Sequence, residues 1–357
     1  MYSLTPGYRV PALQRGLSPV ETLLTKANAG VGSAVLMSAM LTPPPIWTFG
    51  AVGATAALLN LAPGPRSVAR WAAVGYRRLR ERTAPAAMTT QAGATTTWTL
   101  YPEHGTMQDP QLRAAWHEAF SRALTFAGGQ ARTAGIQVHV AHHTRVGEYT
   151  EHTQTLSVHV PKGLVGQPAR VVDTLAHEFA GLGVLTPMEP EPAPAVVERG
   201  PGWVALDDDR YATTARITAW PDETDGDLMP KLLLGHGTDR SLAVLYRPLP
   251  AAQSRRSAKW QRAAAEAFTT DKVKADAHNL ASSSTHGALV QGATLVDIDA
   301  YLTVWGDSPE AVTDARWQAS LMADRHRIRL DWLPGQQHRA HVMTTPHGAS
   351  TRKGAIL

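Results

Sequence analysis

Apolar and polar residues are arranged along the chain in three successive regimes. From Ala27 to Pro65 there is no Asp, Glu, Lys, Arg or His. Pro43-Pro44-Pro45 breaks this run into Ala27–Thr42 and Ile46–Ala62. At about 1.5 Å per residue each segment makes a helix of roughly 25 Å, against a hydrocarbon core of about 30 Å. Gly30, Gly32, Gly50 and Gly53 allow two such helices to approach closely. The expectation is a transmembrane helical hairpin over 27–62. The competing reading is a buried helical hairpin in a soluble protein.

Past the hairpin the pattern becomes amphipathic. Residues 63–96 combine a basic helix, with Val68, Trp71, Ala72, Gly75 and Leu79 near one face, and an Ala/Thr-rich linker. Its arginines, Arg66, Arg70, Arg77, Arg78, Arg80 and Arg82, are the candidate membrane-surface residues. Arg9, Arg15 and Lys26 lie before the hairpin and its turn carries no charge, which places both ends in the cytoplasm. Residues 1–26 read as a cytoplasmic lead-in.

The third regime alternates strand and helix periods. In 97–187, Trp98–Tyr101 is a strand and Asp109-Pro110 opens a helix with Leu112, Trp116, Phe120 and Leu124 on one face. Ile136, Val138 and Val140 alternate with polar residues, as do Leu156, Val158 and Val160. A second helix follows through Val171, Leu175 and Phe179, and a short strand near Val184. Residues 188–202, rich in Pro and Glu, read as a linker. In 203–346 a hairpin turns at Asp207-Asp208-Asp209. A short helix spans Leu228–Leu234, and a strand places Leu242, Val244 and Tyr246 on one face. Leu295, Ile298, Tyr301 and Thr303 mark the next strand. Asp307-Ser308-Pro309-Glu310 starts a helix, and Ile328–Leu333 closes the unit. Residues 251–284 form a polar helical insertion, and 347–357 a tail. Each unit gives β-α-β-β-α-β, so the fold class is α+β with two ferredoxin-like (split βαβ) units behind the hairpin.

Composition narrows the function. The 357 residues include no Cys, which excludes disulfides, thiolate catalysis and cysteine–zinc sites. The net charge of +4 is modest. The arginines beside the hairpin supply much of it, so anionic lipid is the expected partner and direct nucleic-acid binding is not expected.

No catalytic signature survives inspection. His177-Glu178 lacks the second histidine four residues after the first, because position 181 is Gly. There is no G-x-x-x-x-G-K-[ST] phosphate loop and no G-x-S-x-G around Ser282-Ser283-Ser284. Histidines 139, 142, 143, 152 and 159 gather in a predicted hairpin, with His139 and His159 as possible cross-strand neighbours. Alternating strand positions point to solvated hairpin faces rather than a converging metal site. No catalytic residue, cofactor or metal is expected.

A resemblance rests on Trp203-Val-Ala-Leu-Asp-Asp, Tyr211-Ala-Thr-Thr, Ile217-Thr-Ala-Trp-Pro221, Ser241-Leu-Ala-Val-Leu-Tyr-Arg-Pro248, Tyr301-Leu-Thr-Val304 and Leu333-Pro-Gly-Gln-Gln337. In this order they resemble the N-terminal, non-ATPase half of actinobacterial TraC-type conjugative transfer (type IV secretion-like) proteins. A second resemblance, in the hairpin and the α+β body without a phosphate loop, is to EccE of type VII secretion. The first implies a non-catalytic, multi-pass component of the inner membrane that assembles with itself and a separate ATPase. It makes Trp220, Pro221, Arg247, Pro248, Gln336 and Gln337 candidate assembly contacts. The second implies a subunit of a type VII secretion membrane complex.

Overall fold

The structure is a computed structural model. It describes residues 2–3, 19–39, 45–60, 67–81, 90–352 and 356, apart from 107, 132, 190, 222, 225–227, 235–236, 259–286, 288 and 291. The described residues fall into two compact units, a helical one and a sheet-based one.

The helical unit holds α1 (Pro19–Ala39), α2 (Ile46–Asn60) and α3 (Val68–Glu81). The charge-free run does form a helical hairpin. The Asn28 side-chain amide donates to the Val52 carbonyl at 3.4 Å, tying α1 to α2. A Cβ placed on Gly32 would lie 3.2 Å from Val52 Cγ1, so the glycine sets the approach there. No described helix is long and apolar enough to cross a membrane. The reason is twofold. α2 has 15 residues, about 22 Å. α1 has 21, but begins at Pro19 and takes in Glu21 and Lys26.

The sheet-based unit is α+β, and its organising element is one large antiparallel sheet of ten strands. Its first part contains β2 (Gly93–Pro102), α4 (Pro110–Gly129), β3 (Gln137–Val146), β4 (Thr150–Pro161), α5 (Pro168–Phe179) and β5 (Gly183–Met188). Its second contains β6 (Val196–Arg199), β7 (Val204–Leu206), β8 (Tyr211–Ala219), α6 (Leu228–Leu233), β10 (Arg240–Pro248), β11 (Val296–Gly306), α7 (Pro309–Arg325) and β12 (Arg329–Asp331). A separate ribbon pairs β1 (Tyr2–Ser3) with β9 (Glu223–Thr224). The spatial order is β5-β2-β4-β3-β10-β11-β8-β7-β6, with β12 also on β8. The two parts are therefore joined edge to edge, β3 to β10, from Val138↔Tyr246 to Thr144↔Arg240.

Local chemistry explains the helix boundaries. The Asp109 carboxylate accepts from the Gln111 N–H at 2.7 Å and Pro110 follows at the first helical position. Ser308 does the same for α7, accepting from the Ala311 N–H at 3.1 Å.

One sheet face carries both apolar cores. Val138, Val140, Leu156, Val158 and Val160 pack with Phe120, Leu124, Leu175 and Phe179 of α4 and α5. Leu242, Val244, Leu302 and Val304 pack with Ala315, Ala319 and Ala323 of α7. Tyr246 touches both clusters at the joint. Strand alternation places Ile298 with Ala300 and Leu302, on the face opposite Tyr301 and Thr303.

The opposite face is covered by the C-terminal segment. After β12 the chain runs through α8 (Gln337–Ala340) and two 3₁₀ turns, His341–Thr344 and Pro346–Ser350. Leu333, Ala340, Met343 and Ile356 pack there on Leu245 and Tyr301. This corrects the expectation of a tail: Ala349 and Thr351 are buried, and Thr90 pairs with Thr351. The expected linker 188–202 is corrected in part as well, because β6 lies in it and pairs with β7. Residues 251–258 are helical, and 259–286 of the expected insertion lie outside the described residues.

Candidate functional site

The helical unit presents one candidate surface. Around the hairpin turn Leu36, Met37, Ile46 and Trp47 are 62%, 72%, 88% and 71% exposed. Large apolar side chains exposed together near the facing ends of two helices suit a surface that another apolar phase covers. Ser67 caps α3, its hydroxyl accepting from the Arg70 N–H at 3.1 Å. Of its expected apolar face, Val68 and Trp71 are half-buried, while Ala72, Gly75 and Leu79 are exposed, as is Tyr76. Arg70 is half-buried. Arg77, Arg78 and Arg80 lie on α3, and Arg66 and Arg82 are outside the described residues.

The second candidate is the polar sheet face under the C-terminal cap. At its centre the Asp299 carboxylate lies between two guanidiniums. Arg247 Nη1 donates to Asp299 Oδ2 at 2.5 Å, and Arg216 Nη2 donates to Oδ1. Arg247 also reaches Asp297 at 3.9 Å and donates through Nε to Gln137 Oε1 at 3.3 Å. Burial alone would raise the Asp299 carboxyl, but the two arginines hold it below its ordinary value. Tyr301 beside it is pushed up, first by burial and then by the Asp299 charge.

The cap is tied to this face by side chains. Gln337 Nε2 donates to the Thr214 carbonyl at 3.0 Å and Oε1 accepts from the Thr214 N–H at 2.7 Å, so the amide pairs with β8 as a neighbouring strand would. Thr344 Oγ1 donates to the His341 carbonyl at 3.3 Å. It therefore accepts from Thr303 at 2.8 Å, and Thr303 in turn accepts from Thr214 at 2.8 Å. His139 Nε2 lies 2.9 Å from the Met343 carbonyl, which only accepts, so this nitrogen carries the proton. A Cβ on Gly348 would sit 2.9 Å from the same nitrogen and 2.8 Å from the Met343 oxygen, so only glycine fits.

These observations relocate the expected assembly contacts. Arg247, Gln336 and Gln337 are 7%, 2% and 3% exposed, and Pro221 and Pro248 are also buried. Trp220 is half-buried against the second core. None of the six is exposed. The hairpin histidines are corrected too: His139, His142 and His159 are buried rather than solvated. Burial holds His139 and His159 down at about 4 and His142 at about 3. His139 and His159 lie diagonally on one face, through the pairs His139↔Ser157 and Gln137↔His159. His142 turns to the other face, where its Nδ1 lies 3.1 Å from His152 Nε2. Asp208 of the acidic turn pairs with Arg210 at 2.5 Å, and Asp209 takes a left-handed φ of 60°.

Sequence reasoning missed one exposed pair. Trp317 and Leu321, one turn apart on α7, are 65% and 50% exposed. Their spacing of four was a legible signal, since the buried face of α7 is Val312, Ala315, Ala319 and Ala323. Among the described residues no group of three or more His, Asp or Glu is arranged to hold a metal ion. Comparison with models of known families and with curated proteins finds no match for this chain.

Proposed function

We propose that this chain is a non-catalytic, membrane-anchored structural component of a conjugative, type IV-like transfer apparatus of the cell membrane. The observation that carries the membrane part is the charge-free run that α1 and α2 share, whose facing ends expose Leu36, Met37, Ile46 and Trp47. Bilayer lipid is the apolar phase that covers it. A hairpin whose α2 is about 22 Å long enters the bilayer and thins it locally, or ends within it, rather than spanning an unperturbed core. The arginines of α3 then meet anionic headgroups.

The α+β body supports an assembly role. Its first part runs β2-α4-β3-β4-α5-β5 in sequence and β5-β2-β4-β3 in space. Its second runs β8-α6-β10-β11-α7-β12 and lies β12-β8-β11-β10. Both orders fit split βαβ units of ferredoxin-like type, joined through the second strand of each. The apparatus itself is inferred from the sequence landmarks between Trp203 and Gln337. Within it the chain assembles with copies of itself and a separate ATPase.

Flotation of the whole chain with liposomes containing anionic lipid tests the anchor. The chain floats, and a variant carrying Leu36→Asp, Trp47→Asp and Phe49→Asp stays at the bottom while keeping its circular dichroism. Equal flotation of both removes the hairpin from the mechanism. Affinity purification from native membranes tests the apparatus. Recovery of a conjugative ATPase supports it, and recovery of a type VII secretion complex instead replaces it with the EccE-like reading.

A further inference from the structure

We propose that His142 and His152 form a two-histidine site for a borderline divalent transition-metal ion, Cu²⁺ or Zn²⁺, on the β3–β4 hairpin. The site is built by the sheet register. His142 faces Gln154, and His152 faces Thr144 two residues further on, so the two imidazoles are diagonal neighbours on one face. His142 Nδ1 and His152 Nε2 are 3.1 Å apart, with ring planes inclined by 12° and ring centres 5.3 Å apart. Two metal–nitrogen bonds of about 2.0–2.1 Å at a tetrahedral angle separate their nitrogens by roughly 3.3 Å. The rings already stand within about 0.2 Å of that spacing.

The two rings differ in setting in a way that suits a ligand pair. His142 is 4% exposed and fixed in the sheet between β4 and β10. His152 is exposed, so an ion reaches the pair from solvent and keeps water on its remaining positions. His143 points to the opposite face, with Nδ1 2.9 Å from Ser241 Oγ, and does not join them. Without metal, one ring donates an N–H hydrogen bond to the other. Metal binding needs a lone pair on both facing nitrogens. The donor ring therefore moves its proton to its far nitrogen, and both imidazoles stay neutral. Softness and geometry favour Cu²⁺ and Zn²⁺ over Mg²⁺ or Ca²⁺.

The test is calorimetric titration of Cu²⁺ and of Zn²⁺ into the whole chain in detergent, at about pH 7.5 where both rings are neutral. One saturable equivalent per chain is expected. His152→Ala, on the exposed ring, weakens it about tenfold or more, since losing even an outer partner of a ligand costs that much. His177→Ala leaves it unchanged. Electron paramagnetic resonance of the Cu²⁺ form shows two imidazole nitrogens, reduced to one in His152→Ala. A chain with no saturable equivalent, or one whose equivalent and spectrum survive His152→Ala, overturns the site.

Discussion

Asp299 shows how much of this molecule turns on single side chains. Its side chain is 11% exposed and is shared by Arg216 and Arg247. Removing the carboxylate charge takes from the buried Arg247 and the partly exposed Arg216 the partner they share. Asp299→Asn is therefore expected to destabilise the fold by about 3–5 kcal/mol, measured by urea unfolding. The triple change Arg216→Met, Asp299→Leu, Arg247→Met recovers part of that loss, because it removes the carboxylate and both guanidiniums that share it. A triple variant that is less stable than Asp299→Asn would show that the cluster stabilises the fold. The buried histidines set the pH response. His139, His143, His159 and His338 are held down at about 4, and His142 at about 3, mainly by burial. The unfolded chain protonates its histidines near 6.5. Below that pH the unfolded state binds more protons than the folded one, so the histidine contribution is complete above about pH 6.5. It is lost as pH falls toward about 4. Asp299, held below the ordinary carboxylate value, loses its contribution only at more acidic pH. The melting temperature is expected to fall steadily between pH 6.5 and 4.5, and a flat profile over that window would contradict neutral, buried histidines.

At the scale of elements, what could be read in the sequence follows from what periodicity encodes. Asp109-Pro110 and Ser308-Pro309 announced α4 and α7, because a cap and a proline act on their own backbone. Val138, Val140, Leu156 and Val158 announced β3 and β4, because one face of each is buried. The burial of His139 was hidden, since Met343 and Gly348, some 200 residues away, cover it, and no local pattern carries that. β6 was hidden by the prolines around it, which an edge strand tolerates. The hairpin offers a direct test of element packing. Gly32 has Val52 Cγ1 3.2 Å from where a Cβ would stand, whereas Gly30 has open space. Gly32→Leu is expected to splay α1 from α2 and speed amide exchange in both helices. Gly30→Ala leaves exchange unchanged or slower, since alanine favours helix by up to about 1 kcal/mol. Identical exchange in the two variants would mean that Gly32 does not set the contact.

The sheet-based unit as a whole is governed by its joint. The sequence pattern divides it at 188–202, yet β3 and β10 are interior strands of one sheet and each is the other's neighbour. A segment comprising 88–202 alone would expose the whole edge of β3, with the buried Gln137, His139 and Ala141 on one face and its backbone N–H and C=O groups unpaired. It would also lose Met343, the hydrogen-bond partner of His139, and the turn at Pro346–Ser350. Unpaired edges of that length associate. Residues 88–202 are therefore expected to form dimers or aggregates through β3, whereas in 88–357 β10 covers that edge. The longer segment should unfold in one transition, with far-ultraviolet dichroism and tryptophan fluorescence coincident. Trp98 and Trp116 report on the first core and Trp332 on the second, so fluorescence samples both parts. Two separated transitions, or a monomeric 88–202 that melts cooperatively, would show that the parts are independent domains that merely abut. A single transition would mean instead that the polar joint and the C-terminal cap bind the parts into one folding unit, so that a partner docking on either part is felt by the stability of both.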